Sequence, residues 1–175
     1  MTGDAVAGDA GTVGAGTGDA GSGGGTTGSR TTTEGATTRF GDGTGWQEVG
    51  GYSRAVRRGA VIAVSGTTAH GPDGNALFPG DTYAQTVECL ARVLHAVEQL
   101  GGGLDDVIRT RVLLAPEAVW QDATRAHGER FARTRPANST YVVAGLICGI
   151  AAWASIGRVG SVSPKPCAKC RSIRL

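Results

Sequence analysis

The chain is poor in most of what a specialised protein class would need. Four cysteines in 175 residues are too few for a disulfide-dense miniprotein. Charged residues make up 18% of the chain, and no Asp or Glu follows Glu129. Both lysines, Lys165 and Lys169, lie near the C-terminus, and the three histidines, His70, His95 and His127, stand singly. A length near one domain, at ~100–200 residues each, excludes a large multidomain machine. The 30 glycines, 11 of them within residues 1–28, are spread too unevenly for a collagen.

The formal net charge of +2 describes no single segment. Residues 147–175 carry Arg158, Lys165, Lys169, Arg171 and Arg174 without an acid, whereas the residues before 147 hold 12 basic against 15 acidic side chains, a net of −3. The bulk of the chain therefore offers no electrostatic reason to bind nucleic acid. Residues 1–38 are mostly Gly, Thr, Ala, Ser and Asp, with Val6 and Val13 the sole larger aliphatic residues besides Met1. Such a segment buries too little apolar surface to offset its backbone entropy and reads as a flexible tail, with a protein-interaction tail as the alternative. It has neither the apolar core of a secretory signal nor the arginine-rich character of a transit peptide, so a cytoplasmic location is expected.

From Phe40 to Ile147 the pattern is that of a compact domain, assigned to residues 39–147. Tyr52–Arg57 and Val61–Ser65, joined by the turn Arg58-Gly59, read as a β-hairpin. His70–Asn75 is a polar loop. Asp81 is a helix N-cap, and Tyr83, Val87, Leu90, Leu94 and Val97 recur at three- and four-residue steps along one face until Gly101-Gly102-Gly103 stops the helix. Val107–Leu114 reads as a strand with Arg109 and Arg111 on one face and Ile108, Thr110 and Val112 on the other. Pro116 opens a second helix with Val119, Trp120, Ala123, His127 and Phe131 on one side. An extended Arg135-Pro136 step leads into a last strand over Ser139–Ile147. The order strand, strand, helix, strand, helix, strand predicts an α+β fold, a mixed sheet with two helices packed on one face.

Gly51-Tyr-Ser-Arg-Ala-Val56, the strand ending Val64-Ser-Gly66, the helix start Tyr83-Ala-Gln-Thr86, the segment Leu104-Asp-Asp-Val-Ile-Arg-Thr110 and Arg135-Pro-Ala-Asn-Ser-Thr140 stand in the order found in the RidA/YjgF family. The resemblance covers about residues 46–147 and rests on five motifs in register. It implies a chorismate-mutase-like fold, a cytosolic homotrimer with ligand clefts between subunits, and, in active members, hydrolysis of enamines and imines to keto acid and ammonia. No cofactor and no metal are expected. Its cleft positions correspond to Tyr52, Ser65, Gly66, Asn138 and Thr140, and the partner is a small molecule of imine, enamine or keto-acid type.

Two departures from the family bear on chemistry. An imino acid presents a carboxylate, which a guanidinium binds through two parallel charge-assisted hydrogen bonds. Active members have an arginine where this chain has Asn138, which carries no charge. The water-activating glutamate that the resemblance places on the last strand is also missing, since nothing after Glu129 is acidic. No catalytic residue is therefore assigned, and the chain reads as a small-ligand binder on this scaffold, with an enamine/imine deaminase of relaxed substrate choice as the alternative. Each cleft position also has a plain structural reading. Tyr52 is either a cleft residue or a core edge, Ser65-Gly66 either offers backbone donors or permits close packing, and Thr140 either lines a cleft or fills a strand. His127 reads as a packed residue rather than a base, and Arg109 and Arg111 as partners of helix acids rather than a cleft rim.

Residues 148–175 look unlike the family and read as a divergent basic tail, the mark of a changed coding frame. Cys167-x-x-Cys170 has zinc-knuckle spacing, but Cys148 and the histidines are scattered, so two free thiols are expected rather than a metal or redox site. The stretch Tyr141–Gly157 has no charge, near the lower limit of ~17 residues for a membrane helix, yet its three glycines and its strand-like start favour a core strand running into poorly specified structure, with Ile150, Trp153 and Ile156 either exposed or repacked on the sheet edge. No membrane partner is expected.

Overall fold

The computed structural model describes residues 28–147 and 152–159. In chain order the elements are β1 (Arg30–Glu34), β2 (Thr37–Gly41), a one-turn helix α1 (Trp46–Val49), β3 (Ala55–Arg58), β4 (Val61–Val64) and β5 (Thr67–Thr68). Then come α2 (Thr82–Gln99), a 3-10 turn at Leu104–Asp106, β6 (Val107–Leu114), α3 (Trp120–Phe131), β7 (Ala137–Val142) and β8 (Ala152–Val159). β1-β2-β3-β4 form an antiparallel meander, and β5-β8-β6-β7 a second four-stranded ladder. β8 lies beside β4 as well as β5, so the two ladders adjoin at the two-residue break Ser65-Gly66. β7 runs parallel to β6 while β8 is antiparallel to it, which makes the sheet mixed.

α2 and α3 pack against each other and on the same face of the sheet. Cys89, Leu90, Val93, Leu94, Ala96 and Val97 of α2 meet Phe40, Ile62, Val64, Val107 and Phe131 in the main core. Each large apolar side chain buried there contributes roughly 1.5–3 kcal/mol. A smaller cluster joins Val112 and Leu114 of β6 to Ala123 of α3 and Ala152 of β8. Asp81 caps α2 as the sequence predicts, its Oδ1 accepting from Ala84 N at 2.8 Å. At the other end Gly101 takes φ +82°, and Gly101 N and Gly102 N donate to Glu98 O and Val97 O, a Schellman ending. Arg57 Nη1 donates to Leu100 O at 2.9 Å, placing a cation on the helix C-terminus.

Several boundaries differ from the sequence reading, each for a local reason. The strands begin at Arg30, inside the segment read as a tail to residue 38. Its threonines are β-branched and cross-strand pairs such as Thr33···Thr38 (3.1 Å) suit them to a ladder that needs no apolar run, with Gly35 turning at φ +55°. Of the α2 stripe, Tyr83 and Val87 lie outside the core, because the buried face is centred on Cys89, Leu90, Val93 and Val97. Ile108 is exposed rather than sharing a face with Thr110, since the β6–β8 register shifts between Val107 and Thr110. α3 starts at Trp120, not at Pro116, which sits in the turn closed by Ala118 N to Ala115 O, and Val119 and Trp120 are exposed. Arg135 is not extended. It takes φ +45° and donates its N–H to Phe131 O, a left-handed ending of α3 that overrides the usual preference before proline. β7 runs over Ala137–Val142 rather than Ser139–Ile147.

β8 lies within the stretch read as divergent and is a central strand, not an edge addition. Thr67↔Ala154 pairs it on one side and Thr110↔Ile156 on the other. The unclaimed hydrogen-bonding edges of β5 and β6 face each other, and a strand inserted between them satisfies both. The uncharged run is thereby divided between β7 and β8, and no described helix is long and apolar enough to cross a membrane. Cys148, Lys165, Cys167, Lys169 and Cys170 lie outside the described residues.

Candidate functional site

The expected cleft residues fall into two groups. The first surrounds the ends of β3 and β4. The ring of Tyr52 lies against Gly50, where a Cβ would meet ring carbons at 2.9 Å, and Tyr52 stays 41% exposed. It lines a groove of about 190 Å³ with Arg30, Thr32, Arg39, Gln47, Glu48 and Ser53. Ser65 is committed inward: its N–H donates to Arg54 O at 2.9 Å and its Oγ to Ser53 O at 2.7 Å. That geometry favours close packing over a free donor at Ser65. Gly66 presents its carbonyl to Arg54 Nη1 at 2.9 Å.

Arg54 organises this group. Its Nε donates to Asp42 Oδ2 at 2.6 Å, while Nη1 also reaches Thr67 Oγ1 at 3.3 Å. One guanidinium thus ties the loop after β2 to the break between the two ladders. Asp42 accepts further hydrogen bonds from Thr44 N, Thr44 Oγ1 and Gln47 Nε2. Burial pushes the Asp42 carboxyl up, but the charge of Arg54 and the Thr44 hydrogen bonds outweigh it and hold the pKa below its ordinary value.

The second group sits where β6, β7 and α3 meet. Asn138 lies opposite Thr110 in the parallel register. Its Nδ2 donates to Thr110 Oγ1 at 3.0 Å and lies 3.4 Å from His127 Nε2, and its Oδ1 accepts from Thr140 Oγ1 at 2.9 Å. Thr110 Oγ1 and His127 Nε2 are 2.8 Å apart. Burial lowers the pKa of His127, which favours neutral imidazole, and its ring packs on Phe131 with centroids 4.7 Å apart. Asn138 and Thr140 are exposed, while Thr110 is buried.

No described hydrogen bond connects the Tyr52 group with the Asn138 group. The chain brings Tyr52, Ser65 and Gly66 near one another, and separately Asn138 and Thr140. Arg54 and Thr110 went unassigned in the sequence although both stand inside the motifs quoted above; their signal was position next to expected cleft residues. Arg30 was hidden in the segment read as a tail, and Arg39, the first residue of the domain, stands outside every motif quoted above. Arg109 and Arg111 are exposed and make no ion pair with a helix acid among the described residues, because they alternate with inward Thr110 and Val112. The described residues contain no cluster of three or more groups able to hold a metal ion.

Comparison with known proteins places this geometry. The chain is 39% identical over 113 residues to an uncharacterized protein of Streptomyces coelicolor, covering 64% of this chain and 83% of that one. It is 32% identical over 98 residues to a RutC family protein of Sulfurisphaera tokodaii, covering 56% of this chain and 78% of the relative. Among solved structures, a Mycobacterium tuberculosis member of the YjgF/YER057c/UK114 family superposes with a TM-score of 0.62 at 32% identity, covering 70% of this chain and 98% of that one. The YjgF gene product of Escherichia coli gives a TM-score of 0.56 at 25% identity, covering 62% and 87%. These neighbours share the α+β architecture, so the fold is the chorismate-mutase-like one that the motifs implied. The family model described as Endoribonuclease L-PSP matches residues 45–151, well over half of the chain, and the protein therefore belongs to this family, the one that contains the RidA/YjgF proteins.

Proposed function

We propose that this protein is a small-ligand-binding member of the family that lacks imino-acid deaminase activity. The observation that carries this reading is the Asn138 network. The position at which, by the resemblance, active relatives hold a carboxylate with arginine is filled here by an uncharged amide whose nitrogen already donates to Thr110 Oγ1 and lies 3.4 Å from His127 Nε2. A carboxylate arriving there meets no cation, and a lost bidentate charged contact costs several kcal/mol in a partly desolvated cleft. β8, whose sequence holds no acid, supplies no carboxylate to activate water. In this reading the protein is a cytoplasmic homotrimer, with the Tyr52 group of one subunit facing the Asn138 group of the next, and its ligand is a small imine-, enamine- or keto-acid-like molecule. RNA cleavage, the activity in the family description, gains no support from a chain of net −3 before residue 147.

One observation favours the deaminase alternative. The groove beside Tyr52 contains Arg30 and Arg39, cations at a different place from residue 138. Their ion pairs with Glu48 (3.9 Å) and Glu34 (3.5 Å) are exposed and weak, so either guanidinium can turn to an anion. A coupled assay separates the readings: fresh imines made by an amino-acid oxidase should yield keto acid no faster than buffer alone. Release above that rate, lost in Tyr52→Phe, establishes the deaminase instead. Size-exclusion chromatography with light scattering tests the trimer directly.

A further inference from the structure

Charge is segregated across the sheet in a way that the net of −3 conceals. Residues alternate along each strand, so that Phe40, Ile62, Thr110 and Val112 turn to the helices while Arg39, Arg58, Arg109 and Arg111 stand exposed on the opposite, open face. Arg30, diagonal to Arg39 in the β1–β2 register, shares that face. Glu34 is the only acidic residue in any described strand, whereas Glu88, Glu98, Asp122 and Glu129 belong to α2 and α3. Arg30 and Arg39 have carboxylates beside them, Glu48 at 3.9 Å and Glu34 at 3.5 Å. Arg109 and Arg111 pair with no described acid, and the strands that flank them, β7 and β8, contain none. Ser139 of β7 stands directly opposite Arg111, and the β6–β8 register sets Arg158 opposite Arg109. Like charges in opposed positions disfavour a ladder, and an anion held between them removes that cost.

We propose that the open face of β6 binds a compact phospho-oxyanion, held by the guanidinium groups of Arg109 and Arg111 with the Ser139 hydroxyl beside Arg111. The two arginines are two residues apart on a strand that rises ~3.3 Å per residue, so their Cα atoms lie about 6.6 Å apart and the long side chains can converge on one small ion. A planar carboxylate is satisfied by one guanidinium fork, whereas a phosphate or diphosphate presents oxygens to both. A polymeric anion fits this face less well. Nucleic-acid affinity is built from many phosphate contacts, and elsewhere on the face Arg30 and Arg39 are already paired with Glu48 and Glu34. The site is separate from both groups described above. Asn138 and Thr140 alternate with Ser139 and lie on the helix side of β7, where Asn138 meets Thr110. Arg39 on β2 is separated from β6 by β3, β4 and β8, roughly 19 Å across the sheet. Oxyanion binding at β6 therefore does not depend on whether the Asn138 or the Tyr52 group takes a small ligand.

Sodium pyrophosphate is the probe, titrated calorimetrically into the full chain at an ionic strength held constant with chloride. Saturable binding with a Kd of about 1 mM or tighter is expected. Arg109→Gln and Arg111→Gln should each weaken it at least about tenfold, the loss of one charge-assisted pair. Arg111→Lys keeps the charge without the fork and should recover only part of the affinity. Arg58→Gln removes the same charge from the same face outside the site and should change the affinity by less than about twofold. No saturable binding up to about 10 mM overturns the proposal. So do equal losses in Arg58→Gln and Arg111→Gln, which would mark a general field rather than a site. A short RNA that binds more tightly than pyrophosphate, and loses its affinity in Arg111→Gln, assigns the face to a polymer and overturns the compact-ion reading too. The substituted side chains are exposed, and an unchanged melting point without pyrophosphate shows that each variant is folded before its affinity is read. The wild-type titrations with pyrophosphate and RNA decide the matter even where a variant does not fold.

Discussion

Replacing Arg54 by Met tests whether one guanidinium holds the two ladders together. Methionine keeps most of the side-chain stem, so the loss measured is mainly polar. Arg54 is 13% and Asp42 31% exposed in their side chains, a pair largely but not wholly removed from water. Breaking a buried pair by removing one partner costs about 3–5 kcal/mol, and water reaching Asp42 reduces that to about 2. The Gly66 carbonyl, which loses its 2.9 Å donor, adds about 1 kcal/mol. The expected destabilisation is therefore about 3 kcal/mol, a large share of a typical ~5–15 kcal/mol. Urea unfolding at pH 7 measures it. The same experiment at lower pH checks its origin. Asp42 titrates below its ordinary value in the folded protein, so its pairing adds stability above pH 3.8 that is lost as pH falls through the folded pKa. Without Arg54, burial is less opposed, the folded pKa rises toward or past 3.8, and the variant has less pairing stability left to lose on the acid side. The difference between wild type and variant should therefore shrink on acidification. A variant within 0.5 kcal/mol of wild type at pH 7, or a difference that stays constant with pH, would refute the role given to Arg54.

Other substitutions probe single features. Gly101→Ala forces a side chain into φ +82° and brings its Cβ to 3.1 Å from Arg57 Nη1, and should cost about 1–2 kcal/mol in thermal or urea melts; an unchanged melting point would contradict the Schellman ending. Asp81→Ala removes the 2.8 Å cap on Ala84 N and should cost about 1 kcal/mol, with Asp81→Asn recovering most of it. His127 has a folded pKa below its ordinary 6.5, so the unfolded chain takes up a proton first as pH falls. Stability should consequently decline on acidifying below pH 6.5, down to the folded pKa, and be flat above it. His127→Gln should lose that part of the slope, and a wild type without it would show that the imidazole is not desolvated.

The sequence made α2 and β6 plain because each signals itself locally: an Asp cap, an apolar stripe and a glycine stop for one, a run of eight strand-forming residues for the other. It hid β1, whose Thr31, Thr32 and Thr33 look like tail composition and become a strand only when β2 is there to pair. It hid the role of β8 for a related reason. A strand between two others needs no particular charge or turn signal of its own, only a backbone able to pair on both sides, so composition from 148 onward gave no measure of its place. Arg135 shows the opposite failure, a strong local rule before proline that the helix ending overrides. Site positions fared as their surroundings allow: Asn138 and Tyr52 could be aligned from motifs, but whether a donor is free or spent depends on Thr110, His127 and Ser53, which meet them through the fold.

That last dependence decides where an anion could bind. At Ser65 the amide and hydroxyl both donate inward, to Arg54 O and Ser53 O. At Asn138 the amide nitrogen donates to Thr110 Oγ1 and its oxygen accepts from Thr140 Oγ1. Both segments thus direct donors toward the protein's own carbonyls and hydroxyl. The Tyr52 side chain and those of Arg30 and Arg39 line one groove, where their donors are accessible to an anion. Arg30→Ala/Arg39→Ala therefore separates the two functional readings at a place distinct from residue 138. Any residual affinity for a 2-oxo acid should vanish in that double variant, while the NMR signals of the Asn138 side-chain amide should stay unchanged. If those signals moved with the loss of affinity, the two groups would form one site, and the independence argued from their separate hydrogen-bond networks would be wrong.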